Sequence, residues 1–170
     1  MGLSLGTPKE MRDRNKEGLS IWLYRVIRDE ERLNDPPVRV GFSQIKYPPL
    51  PLRLHYLMVP IVNAADPLAG AETEQRILEK VLQTFHDHPQ LRGMDLQGDF
   101  KDTESELNVR LESLSLEEIT RVWDALEGSY QLSVSYEVGV AYVESALQMG
   151  KVSPVNVALP EYGVSIPVGV

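Results

Sequence analysis

Apolar and polar residues recur along this chain with the periods of strands and helices, most clearly over residues 107–142. Leu107, Val109 and Leu111 alternate with polar residues, and this period of two predicts a half-buried strand. A longer alternation over residues 130–142 predicts a second strand. A helical period lies between the two, so this run predicts a strand, a helix and a strand with almost no loops.

The predicted helix in this run carries its own start and stop signals. Ser115 and Glu118 have the spacing of a capping box, in which each side chain accepts a hydrogen bond from the other residue's backbone N–H. Gly128 stands where a left-handed residue commonly ends a helix. One helical face is apolar and includes Trp123, which predicts packing against the sheet. The whole run is rich in fold information and contains no obvious catalytic group.

Similar patterns predict the elements that precede this run. They are a short edge strand near Leu3 and Leu5, a short helix opening at Thr7, strands over 19–27 and 50–62, and a helix over 71–86. Alternation places Leu23 and Arg25 on one face of the first long strand, with Tyr24 and Val26 on the other. The order of the elements predicts an α/β (α+β) sandwich, with one mixed or largely antiparallel sheet and helices packed on one face.

Two segments do not fit this sheet. Residues 28–49 contain two Pro-Pro pairs, which exclude a continuous helix or central strand and predict a long contact loop. Residues 152–170 carry one charge, Glu161, and three prolines, and we expect an extended apolar arm suited to a groove or sheet edge of a neighbour. A strand folded back on its own domain is the open alternative. We therefore predict an α/β domain over 1–144 and a C-terminal arm over 145–170.

Composition narrows the possible functions. The 170 residues include no cysteine, which excludes disulfides, thiolate metal sites and a cysteine nucleophile. The formal net charge of -8 argues against a general nucleic-acid binder, because the phosphate backbone requires a basic face. No apolar run approaches the roughly 20 residues of a membrane-spanning helix. We expect neither nucleic acid nor membrane as a partner.

The chemistry that the sequence offers is sparse. His86 and His88 flank Asp87 at a predicted helix end, but side chains two residues apart on a helix diverge, so we expect no metal site. Nucleophile-elbow and phosphate-loop motifs are absent from the sequence. We therefore expect no catalytic residues and no cofactor. The competing hypothesis is a monomeric α/β ligand-binding domain or hydrolase-like enzyme that uses His55 and His86 in a cleft.

Four sequence blocks together carry a family resemblance. They are the strand with Ile21-Trp22-Leu23-Tyr24, the strand with Leu52-Arg53-Leu54-His55-Tyr56, the helix end Phe85-His86-Asp87-His88-Pro89, and the run Leu132-Ser133-Val134-Ser135-Tyr136-Glu137-Val138. In this order they resemble the tail terminator, or cap, of phage-tail-like contractile injection systems. The resemblance covers about residues 3–143, and the order of the blocks is specific where any single block would be weak.

The resemblance implies a structural protein and not an enzyme. Caps of this kind form a ring, typically of six subunits, on the end of the inner tube and of the contractile sheath. The implied partners are further copies of the chain in a hexamer, the inner tube protein and the contractile sheath protein. The implied location is cytoplasmic assembly, in a particle that can later be released from the cell. Another baseplate or assembly component of the same particle is an alternative.

A ring subunit needs contact surfaces, and the sequence suggests three. They are the Pro-rich loop, the end of the second long strand, which is apolar on both faces, and the C-terminal arm. The candidate interface residues on these surfaces are Tyr47, Leu57, Met58, Ile61, Val155, Val157, Leu159, Tyr162 and Ile166.

Overall fold

The computed structural model describes residues 2–32, 36–40, 43–101, 106–147 and 149–151. The chain divides into two compact units, one formed by residues 1–33 and 50–143 and the other by residues 34–49 and 144–170. In chain order the elements are β1 (Gly2–Ser4), α1 (Pro8–Asp13), β2 (Gly18–Arg28), β3 (Val38–Val40), β4 (Gln44–Lys46), β5 (Leu50–Ile61), α2 (Pro67–Asp87), β6 (Gln90–Arg92), β7 (Glu106–Leu111), α3 (Leu116–Ala125), β8 (Val134–Val143) and β9 (Gly150–Lys151).

The larger unit is built on a six-stranded sheet with the order β1-β2-β5-β8-β7-β6. β1 runs parallel to β2, and every other neighbouring pair is antiparallel. The predicted fold class, with a mixed and largely antiparallel sheet, is confirmed. Each predicted strand and helix of this unit is present, although β8 begins at Val134 and not near residue 130.

Helices cover both faces of this sheet, which corrects the expectation that they pack on one face. Leu57 and Val59 of β5 pack with residues of α1 and α3, including Trp123. Met58, which points to the opposite face, packs with Val81 of α2. The physical reason is that β5 is apolar on both faces, so each face requires its own cover. The core therefore consists of two layers that share β5.

Local capping sets the helix ends. The Ser115 hydroxyl accepts from the Glu118 N–H at 3.2 Å, and the Glu118 carboxylate accepts from the Ser115 N–H at 2.8 Å, which confirms the predicted capping box. The hydrogen bonds that the Glu118 carboxylate accepts from the N–H and the hydroxyl of Ser115 lower the pKa of Glu118. α2 begins earlier than predicted because Asp66 caps it. The left-handed residue after α3 is Glu127, with φ of 51°, and not Gly128.

A β-bulge in β2 changes which side chains share a face. Leu23 and Arg25 pair with consecutive residues of β5, so Tyr24 is an extra residue in β2. The bulge moves Arg25 away from the face that Leu23 occupies and brings Val26 onto that face. The faces predicted by strict alternation are therefore wrong beyond Tyr24. As a result, two apolar side chains lie on the α2 side of the sheet.

The smaller unit contains a three-stranded antiparallel sheet with the order β3-β4-β9. The segment predicted as a long loop thus contains two short strands, which the Pro-Pro pairs flank and do not interrupt. Lys46 forms a salt bridge with Glu144 at 3.1 Å, within this unit. The predicted arm beyond residue 151 lies outside the described residues.

We expect Gly18→Ala to lower the free energy of unfolding by about 3 kcal/mol. Gly18 has φ of +140°, and an added Cβ would stand 1.9 Å from the carbonyl oxygen of Gly2, where β1 pairs with β2. Gly98→Ala is the matched control, since its φ is +64° but a Cβ there meets nothing within 4 Å. That control should lose only about 1 kcal/mol. Equal losses in urea unfolding would contradict the role of close backbone approach.

Candidate functional site

Three predicted interface residues lie in the core of the subunit. The side chains of Leu57, Met58 and Ile61 are 0%, 3% and 1% exposed, because helices of the same chain cover both faces of β5. The structure therefore corrects the interface expected at this strand end. Tyr47, in the smaller unit, is partly exposed and stays a prediction. The remaining candidates, all beyond the described residues, are Val155, Val157, Leu159, Tyr162 and Ile166.

A buried polar cluster lies on the sheet face that α1 and α3 cover. His55 Nδ1 lies 2.8 Å from Glu112 Oε1, and the side chain of His55 is almost fully buried. The Ser135 hydroxyl donates to Glu112 Oε2 at 2.6 Å, and the Tyr24 hydroxyl lies 3.0 Å from Ser135 Oγ. Burial, together with the negative charge of Glu112, raises the pKa of Tyr24. Side chains from three strands, β2, β5 and β8, thus meet at the carboxylate of Glu112.

The remaining ring nitrogen of His55, Nε2, is buried and has no hydrogen-bond partner among the described residues. A carboxylate beside Nδ1 favours the tautomer that carries its proton on Nδ1. Nε2 then holds only a lone pair, which is easier to bury than an unpaired N–H. Glu112 therefore fixes the orientation of the His55 ring through Nδ1.

An ionic row continues this cluster across the strands. Arg53 Nη2 donates to Asp29 Oδ1 at 3.0 Å, and Asp29 is fully buried. Arg110 Nη2 donates to Glu137 Oε1 at 2.8 Å, and Arg53 Nη1 lies 3.8 Å from the same oxygen. The hydrogen bond with Asp29 raises the pKa of Arg53. Each buried charge in the row therefore has an opposite charge beside it, as buried charges require.

The cluster could in principle hold a cation or a nucleophile. Ligand atoms of His55, Glu112 and Glu137 all lie within 4.8 Å of one another. However, Glu137 already accepts from Arg110, and Glu112 accepts from Ser135, so a cation would have to displace these donors. Ser135 bonds to the carboxylate and not to the imidazole, whereas an activated serine needs the base as its direct partner. This arrangement fits an internal polar network better than a catalytic or metal centre.

The predicted histidine pair is not part of this cluster. His86 lies at the end of α2, and His88 follows it. Both side chains are exposed, whereas His55 is buried and contacts Glu112. The sequence placed Arg53 and His55 on the less apolar face of β5. It did not reveal that Glu112, from a short connection, would join them. The residues that meet here are far apart in the chain, so no spacing pattern could signal them.

An open apolar groove lies on the opposite face of the sheet, between α2 and strands β7 and β8. Its volume is 1050 Å³. The lining residues are Gln75, Leu78, Glu79, Leu82, Gln83, Phe85, His86, Pro89, Val109, Arg110, Leu111, Leu132, Val134 and Tyr136. Leu82, Leu111 and Leu132 remain exposed in the groove. The sequence shows the apolar alternation of both strands but did not predict this groove. How much of the sheet face α2 covers depends on tertiary packing, which the sequence pattern does not give.

The fold is that of the terminating caps of contractile injection systems. It is similar to the sheath/tube terminator of PVC, an extracellular contractile injection system, in its extended state, with a TM-score of 0.64 and 16% identity. It is also similar to the tube-terminating cap of the anti-feeding prophage, with a TM-score of 0.60 and 15% identity. Both alignments cover 99% of this chain, but only 58% and 56% of the two larger proteins.

Residues 2–156 match the model of the Pvc16 N-terminal domain, and the chain therefore belongs to the Pvc16 N-terminal domain family. This confirms the resemblance found in the sequence blocks. Comparison with curated proteins gave no match. Among the described residues, the helices are too short or too polar for any of them to cross a membrane.

We expect Glu112→Ala to lower the free energy of unfolding by about 2 kcal/mol, because it leaves the buried Nδ1 of His55 without its partner and removes the acceptor of the Ser135 hydroxyl. Glu117→Ala is the matched control. Glu117 pairs with Arg121 at 2.5 Å, but both side chains are exposed, so its loss should stay under about 0.5 kcal/mol. Urea unfolding measures both. Similar losses in the two variants would show that the buried cluster does not stabilise the fold.

Proposed function

We propose that this chain is a structural cap that ends the inner tube of a contractile injection system and anchors its sheath. The observation that carries this proposal is the similarity of nearly the whole chain to two terminating caps, together with its family. The site chemistry agrees, since the buried His55 cluster is occupied by internal hydrogen bonds. Function then depends on surfaces and not on a reaction.

In this proposal the chain forms a ring, six subunits in the simplest form, that contacts the inner tube protein and the contractile sheath protein. A closed ring requires heterologous contacts, in which one surface of a subunit meets a different surface of the next. The rigid six-stranded sheet suits this role, because its order leaves distinct surfaces at its two edges. Assembly in the cytoplasm, before the particle is released, is part of the same proposal.

Residues 152–170 have a further role in this proposal. With one charge in this whole segment, an extended arm would bury apolar residues such as Val155, Leu159 and Ile166 on an adjacent subunit or on the sheath. Removing it should therefore weaken the hold on the sheath and leave the capping domain folded.

Particles produced without this chain should show tubes or sheaths of uncontrolled length, because nothing would stop polymerisation at the distal ring. Electron microscopy of negatively stained particles measures the length distribution. Particles complemented with the intact chain are the control and should return to one length. Normal lengths without the chain would contradict the proposal. Size-exclusion chromatography with light scattering separates it from the monomeric enzyme hypothesis, since a ring has several times the mass of 19.1 kDa.

A chain that ends at residue 151 tests the arm separately. We expect it to give the same thermal unfolding curve as the intact chain, with fewer extended sheaths per tube in electron micrographs. The apolar contact that holds the last sheath ring would be lost. Particles with normally capped, full-length sheaths would argue against docking of the arm and leave the capping role intact.

A further inference from the structure

The outer edge of β2 has unpaired backbone groups. β1 pairs only with residues 18–20 of β2, and no other described strand lies beside the rest of this edge, over residues 21–28. The Asp29 N–H donates to the Pro51 carbonyl of β5 at 3.0 Å. Successive residues of a strand point their backbone groups to opposite sides, so those of Val26 and Arg28 point away from β5. Such groups favour pairing with a further strand.

This edge also exposes apolar side chains on the face of the sheet that α2 covers. Val26 pairs with Leu54, and Leu23 pairs with Tyr56, which packs in the α2 layer. The side chains of Leu23 and Val26 are 39% and 50% exposed. The bulge at Tyr24 brings both to the same face. The edge therefore offers unpaired backbone groups and exposed apolar side chains along one line.

The C-terminal arm contains a segment whose prolines suit such an edge. Pro154 and Pro160 are an even number of residues apart, so in a strand their nitrogen atoms point to the same side. When that side faces away from the sheet, no hydrogen bond is lost, because an edge strand pairs on one side alone. The backbone groups of Val155, Val157 and Leu159 then all point toward the neighbouring strand. The spacing of these prolines thus favours an edge strand.

The same spacing puts the apolar side chains of the arm on the apolar face of β2. In an antiparallel pair, two residues whose backbone groups bond to each other also have their side chains on one face. Val155, Val157 and Leu159 would therefore lie on the face of Val26, and Asn156 on the other face. A parallel strand would reverse the two faces. The sequence of the arm thus fits the edge in the antiparallel direction.

We propose that residues 154–160 of one copy pair as an antiparallel strand with the outer edge of β2 in a neighbouring copy. The occupant of this edge is thus the C-terminal arm of a second copy. In the register that places Val157 opposite Val26, Leu159 lies beside Leu23 on the same face. Pro160 then ends the pairing before the residues that β1 occupies.

The arm is long enough for this contact. Residues 152–170 would span roughly 60 Å when extended, at about 3.3 Å per residue, so an arm can reach an adjacent subunit. Arm and edge are different surfaces of the chain, so the contact is heterologous, and a closed ring leaves no β2 edge unpaired. The inference rests on the proposed ring and names the place where the arm docks.

Engineered disulfides test the pairing and its register, because the chain has no cysteine of its own. The Cα atoms of a hydrogen-bonded antiparallel pair lie about 5.5 Å apart, within the range that a disulfide can bridge. We therefore expect a mixture of Val26→Cys and Val157→Cys to form covalent dimers under mild oxidation. Asn156→Cys is the matched control, since its side chain would point to the opposite face. Its mixture with Val26→Cys should form at least about tenfold less dimer, and equal yields would overturn the proposal.

The double variant Val26→Cys/Val157→Cys distinguishes a neighbouring copy from the same chain. We expect a ladder of covalent species up to the closed ring on non-reducing gels. A disulfide within one chain, seen as a faster band without a gain in mass, would mean that the arm folds back on its own domain. Dimers of Val26→Cys alone would indicate a symmetric contact between two edges. Either result would overturn the proposal.

Proline substitutions test the backbone hydrogen bonds of the pair. Val157→Pro removes an N–H that would point to β2, whereas Ala158→Pro removes one that would point away. We expect Val157→Pro to weaken self-association by at least about tenfold in light scattering, and Ala158→Pro by less than about twofold. Both variants should keep the thermal unfolding curve of the intact chain, since neither changes the described core. Equal effects on self-association would contradict the pairing.

Particle lengths keep this inference separate from the proposed function. If particles made with the chain have one length but Val26–Val157 disulfides do not form in them, the contact is wrong and the cap function stands. Docking of the arm on the sheath would give this result too, with rings that form equally well from a chain that ends at residue 151. Particles that keep one length whether or not the chain is present would overturn the cap function, whatever disulfides form.

Discussion

Burial of β5 on both faces is the constraint on which the rest of the structure depends. Its C-terminal half carries Leu57, Val59 and Ile61 on one side and Met58 on the other, all withdrawn from water. Each such side chain contributes about 2 kcal/mol when fully buried. Because both faces must be covered, α1 and α3 occupy one side and α2 the other. The centre of the sheet is therefore the interior of the larger unit.

The N-terminal half of the same strand carries polar residues, and these determine the strand register. Arg53 and His55 are partly or fully buried, and each is paired with an acid from another element. A shift of β5 by one residue would leave buried charges unpaired, which is far more unfavourable than the loss of a surface pair. One strand thus buries apolar side chains at its C-terminal end and pairs polar side chains with acids at its N-terminal end. A sheet held in this way is suited to present fixed surfaces.

A rigid sheet fits the function proposed for this chain. In the proposed cap function, a sheet that keeps its shape would serve the attachment of tube and sheath, and no chemistry in its core would be needed. The Ser135–Glu112–His55 order illustrates this, since the carboxylate lies between the hydroxyl and the imidazole. Within the described part of the larger unit, the α2–β7–β8 groove is an exposed apolar surface that lies toward the β6 edge of the sheet.

The sequence by itself determined most strands of the larger sheet, the helices, the Ser115 capping box and the family, because periodicity and capping act over a few residues and the block order spans most of the chain. Only the tertiary structure decided that β5 is a core strand and not an interface, that Tyr24 is a bulge, and that Glu112 meets His55. These features depend on which segments lie beside one another. An apolar strand end has the same sequence pattern whether a helix of its own chain or a neighbouring subunit covers it.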